Sequence, residues 1–401
     1  MTLDIHLLRK LYPALSDGTA YLDGAGGTQL PDSVIDAVSD AYRSGLGNAH
    51  GEFPASRRAD KLAAEARLAV ADLVGGQPDG VILGPNMTTL TYRLAGALAR
   101  QWSSGDEIVL SQLDHDANVR PWVQFAGRHG VRVRWAIVDT STGELPVDQF
   151  EGLVNERTRL LAVTAASNVL GTRPDVRAIT DIAHRHGALT YVDGVAAAPH
   201  VPIDMAALGA DFFATSAYKW SGPHIGTVVA DPALLESLQP DKLAASSNSV
   251  PERFETGTLA FADLAGVTAA VEHVAGLSGN PGQSRRERVL NSMAAVQAHE
   301  EAEFTVLLDA LAAMPHVRLF GRPASRTPVA YFRVASRTPQ QVAARLAARG
   351  VNVWHGHAYA WELTQALGVR HDGGAVRASL APYNDADDVA RLLRGVEELA
   401  P

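Results

Sequence analysis

Between residues 57 and 230, short apolar segments alternate with stretches of helical periodicity. The apolar segments are residues 81–83, 107–110, 131–137, 160–164, 188–192, 212–215 and 227–229. Strands this apolar are buried on both faces, and helices between consecutive strands favour a parallel arrangement. This part of the chain therefore predicts an α/β fold built on a mainly parallel, seven-stranded sheet.

The pattern changes after about residue 260. Two long helical segments, 261–277 and 285–314, precede strand candidates and shorter helices; the strand candidates are 316–320, 329–334, 351–354 and 376–380. A chain of 401 residues also exceeds the size at which one hydrophobic core keeps growing. We expect a large domain over residues 20–279 and a smaller α+β domain over residues 280–401, together with residues 1–19.

The composition excludes several classes of function. With 35 Lys and Arg against 44 Asp and Glu, the net charge is −9, which argues against nucleic acid or an anionic membrane as the main partner. No apolar run approaches the roughly 20 residues of a membrane helix, and no secretory signal is evident, so we expect a cytoplasmic protein. There is no cysteine, which excludes disulfides, thiolate metal sites and a cysteine nucleophile, and we expect no metal.

Polar residues follow several of the predicted strands. Because ligands bind at the carboxyl ends of the strands in an open parallel sheet, these residues are candidates for a binding site. Thr88 and Thr89 open a helix, where backbone N–H groups and hydroxyls suit a phosphate, although Thr-Thr is also a common helix cap. His115 could lie flat on an aromatic ring, and Asn168 could donate to a ring hydroxyl.

Lys219 and Asp193 indicate the chemistry of this site. Lys219 follows the apolar strand 212–215 and can form a Schiff base, although a lysine in this position could equally be a solvated surface residue. Asp193 follows another apolar strand, where an unpartnered carboxylate would be costly to bury. A carboxylate about 4 Å from a pyridinium contributes roughly 4 kcal/mol, or about 3 pKa units, and keeps the ring nitrogen protonated. Together the two residues predict pyridoxal 5'-phosphate (PLP) as cofactor.

Arg377 lies within an otherwise apolar strand near the C-terminus. Arginine is rarely buried without a partner, and its planar guanidinium matches a carboxylate in two-point contact. We therefore expect Arg377 to bind the carboxylate of an amino-acid substrate.

In this order, the motifs resemble those of the class V (fold type I) PLP-dependent enzymes, particularly cysteine desulfurase and selenocysteine lyase-like proteins. The resemblance runs from residues 21–25 to residues 377–384. It implies that Lys219 is the Schiff-base lysine, that Asp193 pairs with the pyridine nitrogen and that His115 stacks on the ring.

The resemblance also implies roles for the surrounding residues. It places Asn168 at the ring 3-hydroxyl and Arg377 at the substrate carboxylate. The side chains that would bind the phosphate are Thr88, Thr89, Ser216 and Tyr218. Thr258 would reach the phosphate of a neighbouring subunit, so the resemblance implies a homodimer with the active site at the subunit interface.

Two positions depart from the desulfurase pattern. Tyr359 stands where desulfurases carry the cysteine that takes up sulfur as a persulfide, and a phenol cannot form a persulfide. Ala196 replaces the Gln or His usual three residues beyond the ring-pairing aspartate and leaves room for a different or larger substrate. Tyr359 and His357 could contact the substrate and serve as extra acids or bases.

Three functions are compatible with this pattern. The first is a PLP-dependent lyase that cleaves the C–S (or C–Se) bond of cysteine or an S-substituted cysteine conjugate by β-elimination, without a persulfide cysteine. The second is a decarboxylating deaminase, aminotransferase or epimerase acting on an amino acid or cysteine conjugate, because fold alone does not decide the reaction type. The third is an inert binding protein that keeps the fold.

Overall fold

The computed structural model describes residues 3–400. Its strands are β1 (Ala20–Tyr21), β2 (Val81–Gly84), β3 (Glu107–Ser111), β4 (Arg132–Ala136), β5 (Thr158–Thr164), β6 (Leu189–Asp193), β7 (Phe212–Ser216), β8 (Gly226–Ala230), β9 (Val317–Leu319), β10 (Val329–Val334), β11 (Val351–Asn352), β12 (Trp354–Gly356) and β13 (Ala375–Ser379). Its α-helices are α1 (Ile5–Arg9), α2 (Asp32–Arg43), α3 (Pro54–Val74), α4 (Met87–Ala99), α5 (Arg120–His129), α6 (Gln149–Leu153), α7 (Val176–Arg185), α8 (Pro232–Glu236), α9 (Phe261–Gly276), α10 (Arg285–Ala313), α11 (Pro339–Ala347), α12 (Trp361–Ala366) and α13 (Ala386–Glu397). None of the helices in this described part is long and apolar enough to cross a membrane.

Strands β2 to β8 form one sheet in the order β2-β8-β7-β6-β5-β3-β4. Strand β8 is antiparallel to both of its neighbours, and the other strand pairs are parallel. The predicted mainly parallel, seven-stranded sheet is therefore confirmed. After β4 the chain returns to the opposite side of β3 to form β5, so the strand order reverses between β3 and β5. Such a reversal is where open α/β sheets bind their ligands.

Both faces of this sheet are covered by helices, which explains its continuous apolar strands. Val70 of α3, Ile179 of α7 and Val271 of α9 belong to the apolar cluster on one face. Leu94 of α4 and Trp122 of α5 belong to the cluster on the other face. Burial of each such apolar side chain contributes about 1.5–3 kcal/mol to the free energy of folding.

A second core lies around the C-terminal sheet, whose antiparallel order is β12-β13-β10-β9. The segment 351–354, expected as one strand, instead gives β11, which pairs with β1, and the start of β12, which pairs with β13. Helix α10 joins the two cores, because Met293 packs in the larger cluster and Leu307 in the smaller one. The domain bounds 20–279 and 280–401 with 1–19 stay a prediction.

Strand β8 runs against the turn that opens α4. A Cβ atom added to Gly226 would lie 2.1 Å from the backbone carbonyl carbon of Asn86. Asn86 is the N-cap of α4, and its Oδ1 accepts a hydrogen bond from the Thr89 N–H at 2.9 Å. The absence of a side chain at Gly226 therefore lets the helix start approach the carboxyl edge of the sheet.

We expect Gly226→Ala to lower the free energy of unfolding by about 1–3 kcal/mol, because the added methyl group must displace backbone atoms. Urea denaturation monitored by circular dichroism measures this change. Gly127→Ala is the matched control, since nothing lies within 4 Å of a Cβ at that position in α5. It should raise stability by up to about 1 kcal/mol through helix propensity. Equal effects of the two substitutions on the free energy of unfolding would contradict the close approach of Gly226 to the backbone of Asn86.

Candidate active site

Lys219 ends the short 3-10 turn Ala217–Lys219 that follows β7. The residue is only 8% exposed, and its Nζ donates a hydrogen bond to the backbone carbonyl of Ala25. Burial and, to a smaller extent, the positive charge of Arg377 lower the pKa of Lys219 to about 7, and Asp193 opposes the shift. A large share of this amine is therefore neutral, and so nucleophilic, near neutral pH.

Asp193 is the last residue of β6, and it pairs in register with Ala214 of the neighbouring β7. Its Oδ1 accepts a hydrogen bond from the Val195 N–H at 2.9 Å. Burial raises the pKa of Asp193 to about 6, against the lowering by this hydrogen bond and by Lys219. The group remains mainly ionised at neutral pH and can balance a positive charge nearby.

His115 follows β3 and is held by the backbone. Its Nδ1 accepts a hydrogen bond from the Ala117 N–H at 3.0 Å, so in the neutral ring the proton is on Nε2. Burial lowers the pKa of His115 to about 3, and the charges of Lys219 and Arg377 act in the same direction. The imidazole is therefore neutral, as a stacking partner for an aromatic ring would be.

Asp114 is a functional candidate that sequence reasoning missed. Asn118 Nδ2 donates to Asp114 Oδ1 at 2.7 Å, the Ser111 hydroxyl bonds the other oxygen, and Trp122 Nε1 donates to Asn118 Oδ1 at 3.0 Å. Burial raises the pKa of Asp114 to about 8, and the charge of Asp193 adds to the shift. This buried network holds the loop that carries His115. An aspartate next to the predicted histidine was visible in the sequence, but its burial was not.

One narrow cavity brings most of the predicted residues together. Its lining residues are Met87, Thr88, His115, Thr164, Ala166, Asn168, Asp193, Val195, Ala196, Tyr218 and Lys219. Asn168 Nδ2 donates to the Ala358 carbonyl at 2.7 Å, so its buried Oδ1 has no partner among residues 3–400. In this orientation Asn168 would accept a hydrogen bond from a ring hydroxyl, whereas the sequence led us to expect a donor.

Arg377 lies beside this cavity without lining it. It is 6% exposed on β13, and its Nη1 donates to the Asn168 carbonyl at 3.0 Å. Its buried Nε has no hydrogen-bond partner in the described part of the chain. Burial lowers the pKa of Arg377 to about 10, and Tyr331, Asp23 and Tyr218 oppose the shift. A guanidinium with an unused donor is suited to a ligand carboxylate.

The residues predicted at the phosphate are only partly brought together. Thr88 and Tyr218 line the cavity, and the buried Ser216 accepts a hydrogen bond from the Met87 N–H at 3.4 Å. The hydroxyl of Thr89 instead donates to Asn86 Oδ1 at 3.0 Å, as a helix cap would. Thr258 is exposed in a separate surface groove. The assigned roles of these residues stay predictions.

Tyr359 and His357 lie on the loop between β12 and α12. The Tyr359 ring is 5.5 Å from the His115 ring and 5.8 Å from the His357 ring, centroid to centroid. The Tyr359 carbonyl accepts a hydrogen bond from the Asp116 N–H at 2.8 Å, and the Tyr359 N–H donates to His357 Nδ1 at 3.0 Å. Tyr359 is thus next to the cavity through its contact with His115, whereas His357 contacts Tyr359.

Behind Lys219, three buried or partly buried side chains hold the turn. The Tyr12 hydroxyl lies 3.0 Å from Ser221 Oγ and 2.8 Å from His273 Nε2. Ser221 has a φ of 62°, a left-handed conformation that is uncommon for residues other than glycine. Sequence reasoning missed this network, because Tyr12, which follows α1, and His273 of α9 are far from residue 219 in the chain.

The comparisons agree with this geometry. The aminotransferase class-V profile matches residues 20–392. An uncharacterized protein of Mycobacterium tuberculosis is 38% identical over 403 residues, covering 100% of both chains, and a probable cysteine desulfurase of Pseudomonas aeruginosa is 34% identical, covering 97% of this chain and 96% of its own length. A crystal structure of an Escherichia coli cysteine desulfurase has a TM-score of 0.87 at 28% identity, covering 100% of this chain and 99% of its own. The chain belongs to the aminotransferase class-V family.

This class-V protein is a PLP-dependent enzyme, and the residues at the cavity fit the cofactor. The neutral fraction of Lys219 supplies an amine, and Asp193 supplies a buried carboxylate. Asn168 Oδ1 is a buried acceptor without a partner in the described residues. Buried charged and polar groups without a partner lower the stability of the fold unless a ligand forms hydrogen bonds or ion pairs with them.

The low pKa of Lys219 predicts how this class-V chain takes up PLP. The rate of attachment should rise with pH through a midpoint near 7, whereas an ordinary lysine would keep reacting faster up to about pH 10.4. Borohydride trapping at each pH, followed by mass spectrometry of the Lys219 peptide, measures the rate. Arg377→Gln should move the midpoint to higher pH, and Arg345→Gln, an exposed control, should not. A wild-type midpoint above about 9 would show that the lysine that attaches PLP does not have a lowered pKa.

The raised pKa of Asp114 predicts that Asp114→Asn leaves the free energy of unfolding at pH 7 nearly unchanged. A carboxyl group with a pKa of about 8 is mainly protonated at this pH, and the amide keeps one donor and one acceptor. Asp114→Ala should cost about 1–3 kcal/mol, because Asn118 loses its buried acceptor. Urea denaturation of the two variants makes the comparison, and equal losses would indicate an ionised Asp114.

Proposed function

We propose that this enzyme is a C–S lyase that removes the sulfur substituent of cysteine or an S-substituted cysteine by β-elimination. The observation that carries the proposal is a PLP site of cysteine desulfurase type in a chain of 401 residues without a single cysteine. Tyr359 stands at the cavity, and no thiol of this chain can take sulfur as a persulfide. Elimination needs no such thiol, because the sulfur leaves the substrate together with its substituent, as a free thiol.

The residues of the site divide the work of this reaction. Arg377 binds the substrate carboxylate through the donors it does not use within the chain. Lys219, once its amine is free, removes the proton from the substrate Cα, which its pKa of about 7 permits near neutral pH. Asp193 holds a proton on the pyridine nitrogen of the cofactor. Bound PLP supplies the electron sink that stabilises negative charge at Cα.

His115 and Asn168 orient the cofactor in the same proposal. The neutral imidazole of His115 offers its flat face to the pyridine ring, since its Nδ1 is already held by the Ala117 N–H. Asn168 Oδ1 accepts from the ring hydroxyl, and its Nδ2 stays on the Ala358 carbonyl. The small Ala196 leaves space on the lining for the substrate.

We also propose a homodimer in which Thr258 completes the site of the partner subunit. Arg67 binds both carboxylate oxygens of Glu255, at 2.7 and 2.9 Å, and the Leu83 N–H donates to Glu255 Oε1 at 2.8 Å. This buried ion pair fixes the base of the loop, whereas Gly257 and Thr258 at its tip are exposed. A rigid base and a free tip suit a loop that reaches across an interface.

The test is incubation of the PLP-loaded protein with cysteine, S-alkyl cysteines and simple amino acids, with products identified by mass spectrometry. We expect equal amounts of pyruvate, ammonia and thiol from S-substituted cysteines, and no protein persulfide. Lys219→Ala should abolish pyruvate release, and Lys61→Ala, which removes an exposed lysine, should not. An aldehyde product, an inverted Cα or a requirement for an amino-group acceptor would replace the lyase by a deaminase, epimerase or aminotransferase.

A further inference from the structure

Large aromatic side chains are exposed around the active-site cavity. Trp354 is 52% exposed, Tyr359 67% and Trp361 38%, and all three lie within eight residues of one another in the chain. Exposed aromatic groups that cluster beside a cavity mark a binding surface more often than a chance arrangement. The mechanism above uses none of these three rings.

Trp354 lies on the same side of its sheet as Arg377. In the β12–β13 pair Trp354 stands directly opposite Arg377, and residues opposite each other share a face. The Trp354 ring also covers Gly26, where an added Cβ would lie 2.2 Å from Nε1 of the indole. The preceding residue, Ala25, provides the carbonyl that accepts from Lys219 Nζ.

Tyr359 lies beside a different lining residue, His115, and its position is fixed before any ligand binds. Its φ of 57° and that of Ala358, 47°, are left-handed, and both residues have carbonyls bound to the large domain, by the Asp116 N–H and by Asn168 Nδ2. A ring on a backbone held at two consecutive carbonyls loses little freedom on binding. Such preorganisation favours a ring that acts as a binding surface.

The charges around the two rings indicate which ligand they suit. The positive charges of Lys219 and Arg377 act on His115, the ring beside Tyr359, and Arg370 already lies over the Trp361 ring at 4.3 Å. A cationic group would be repelled by these charges, so the usual attraction of a cation to indole is opposed here. An uncharged aromatic group has no such cost and gains stacking area.

We propose that Trp354 and Tyr359 form the subsite for the sulfur substituent and select a neutral aromatic group. This inference rests on the proposed lyase function, in which Arg377 holds the carboxylate and Lys219 faces Cα. In this proposal the sulfur substituent leaves the cavity, whose lining includes the small Ala196, and meets the two rings beside it. The substrate class is therefore an S-benzyl- or S-aryl-type cysteine.

The experiment measures binding of three carboxylates that lack the amino group and cannot react with the holoenzyme. They are 3-(benzylthio)propionate, 3-(methylthio)propionate and 3-{[2-(trimethylammonio)ethyl]thio}propionate, and calorimetry gives each Kd. We expect the benzyl compound to bind about tenfold more tightly than the methyl compound, and the trimethylammonium compound to bind no better than the methyl compound.

Substitutions assign this preference to the two rings. Trp354→Ala and Tyr359→Ala should each reduce the benzyl-to-methyl ratio about threefold or more, and Trp354→Phe should keep most of it. Tyr42→Ala, which removes an equally exposed tyrosine from α2, is the matched control and should leave the ratio unchanged. Benzyl affinity that survives both alanine variants would overturn the inference, as would tight binding of the trimethylammonium compound.

Pyruvate release from cysteine conjugates, measured beside the binding of these carboxylates, separates this inference from the proposed function. If pyruvate forms from S-methylcysteine but the benzyl preference is absent, the lyase stands and the aromatic subsite is wrong. If the preference is present but no cysteine conjugate yields pyruvate, the rings bind an aromatic group and the lyase reaction is wrong. A change from dimer to monomer in Trp354→Ala, seen by size-exclusion chromatography with light scattering, would assign the indole to a subunit contact and overturn its role as a subsite.

Discussion

The site depends on three charged side chains that are kept from water in one place: Lys219, Asp193 and Arg377. Burial is the largest cause of the pKa shift of each, and it moves each group towards its neutral form. Asp193 opposes the shift of Lys219 and Asp23 opposes that of Arg377, but Arg377 Nε has no hydrogen-bond partner within residues 3–400. A substrate carboxylate would satisfy this buried donor.

The architecture explains why these charges meet. Thr164, Asp193 and Ala214 are in register across β5, β6 and β7, so Asp193 ends its strand beside the strand that leads to Lys219. Arg377 comes from the other sheet. Its contact with the Asn168 carbonyl, together with that of Asn168 Nδ2 with the Ala358 carbonyl, ties the C-terminal sheet to the carboxyl edge of the large one. A complete site thus requires both cores to be folded and docked.

The sequence predicted the seven strands to within about two residues, because strands buried on both faces are continuous apolar runs. It could not predict β1, since two residues carry no periodicity and their partner, β11, is distant in the chain. The sequence also did not reveal which way the side chains of the candidate site residues point. Thr88 and Thr89 were equal candidates for phosphate contact, but only Thr88 lines the cavity, because the hydroxyl of Thr89 bonds to Asn86. The role of Asp114 depends on burial, which its neighbours in sequence do not reveal.

The loop around Tyr359 is held in a way that suits the proposed elimination. A residue that carries sulfur away from a cavity must leave it, which requires a loop free to move. Here the carbonyls of Ala358 and Tyr359 are bound by Asn168 and Asp116, and Glu362 just beyond them bonds Arg120 at 2.8 Å. Arg120 also binds Asp116, so these contacts form one connected set. A loop fastened in this way is better suited to present a ring to a substrate than to carry sulfur away, as the proposed lyase requires.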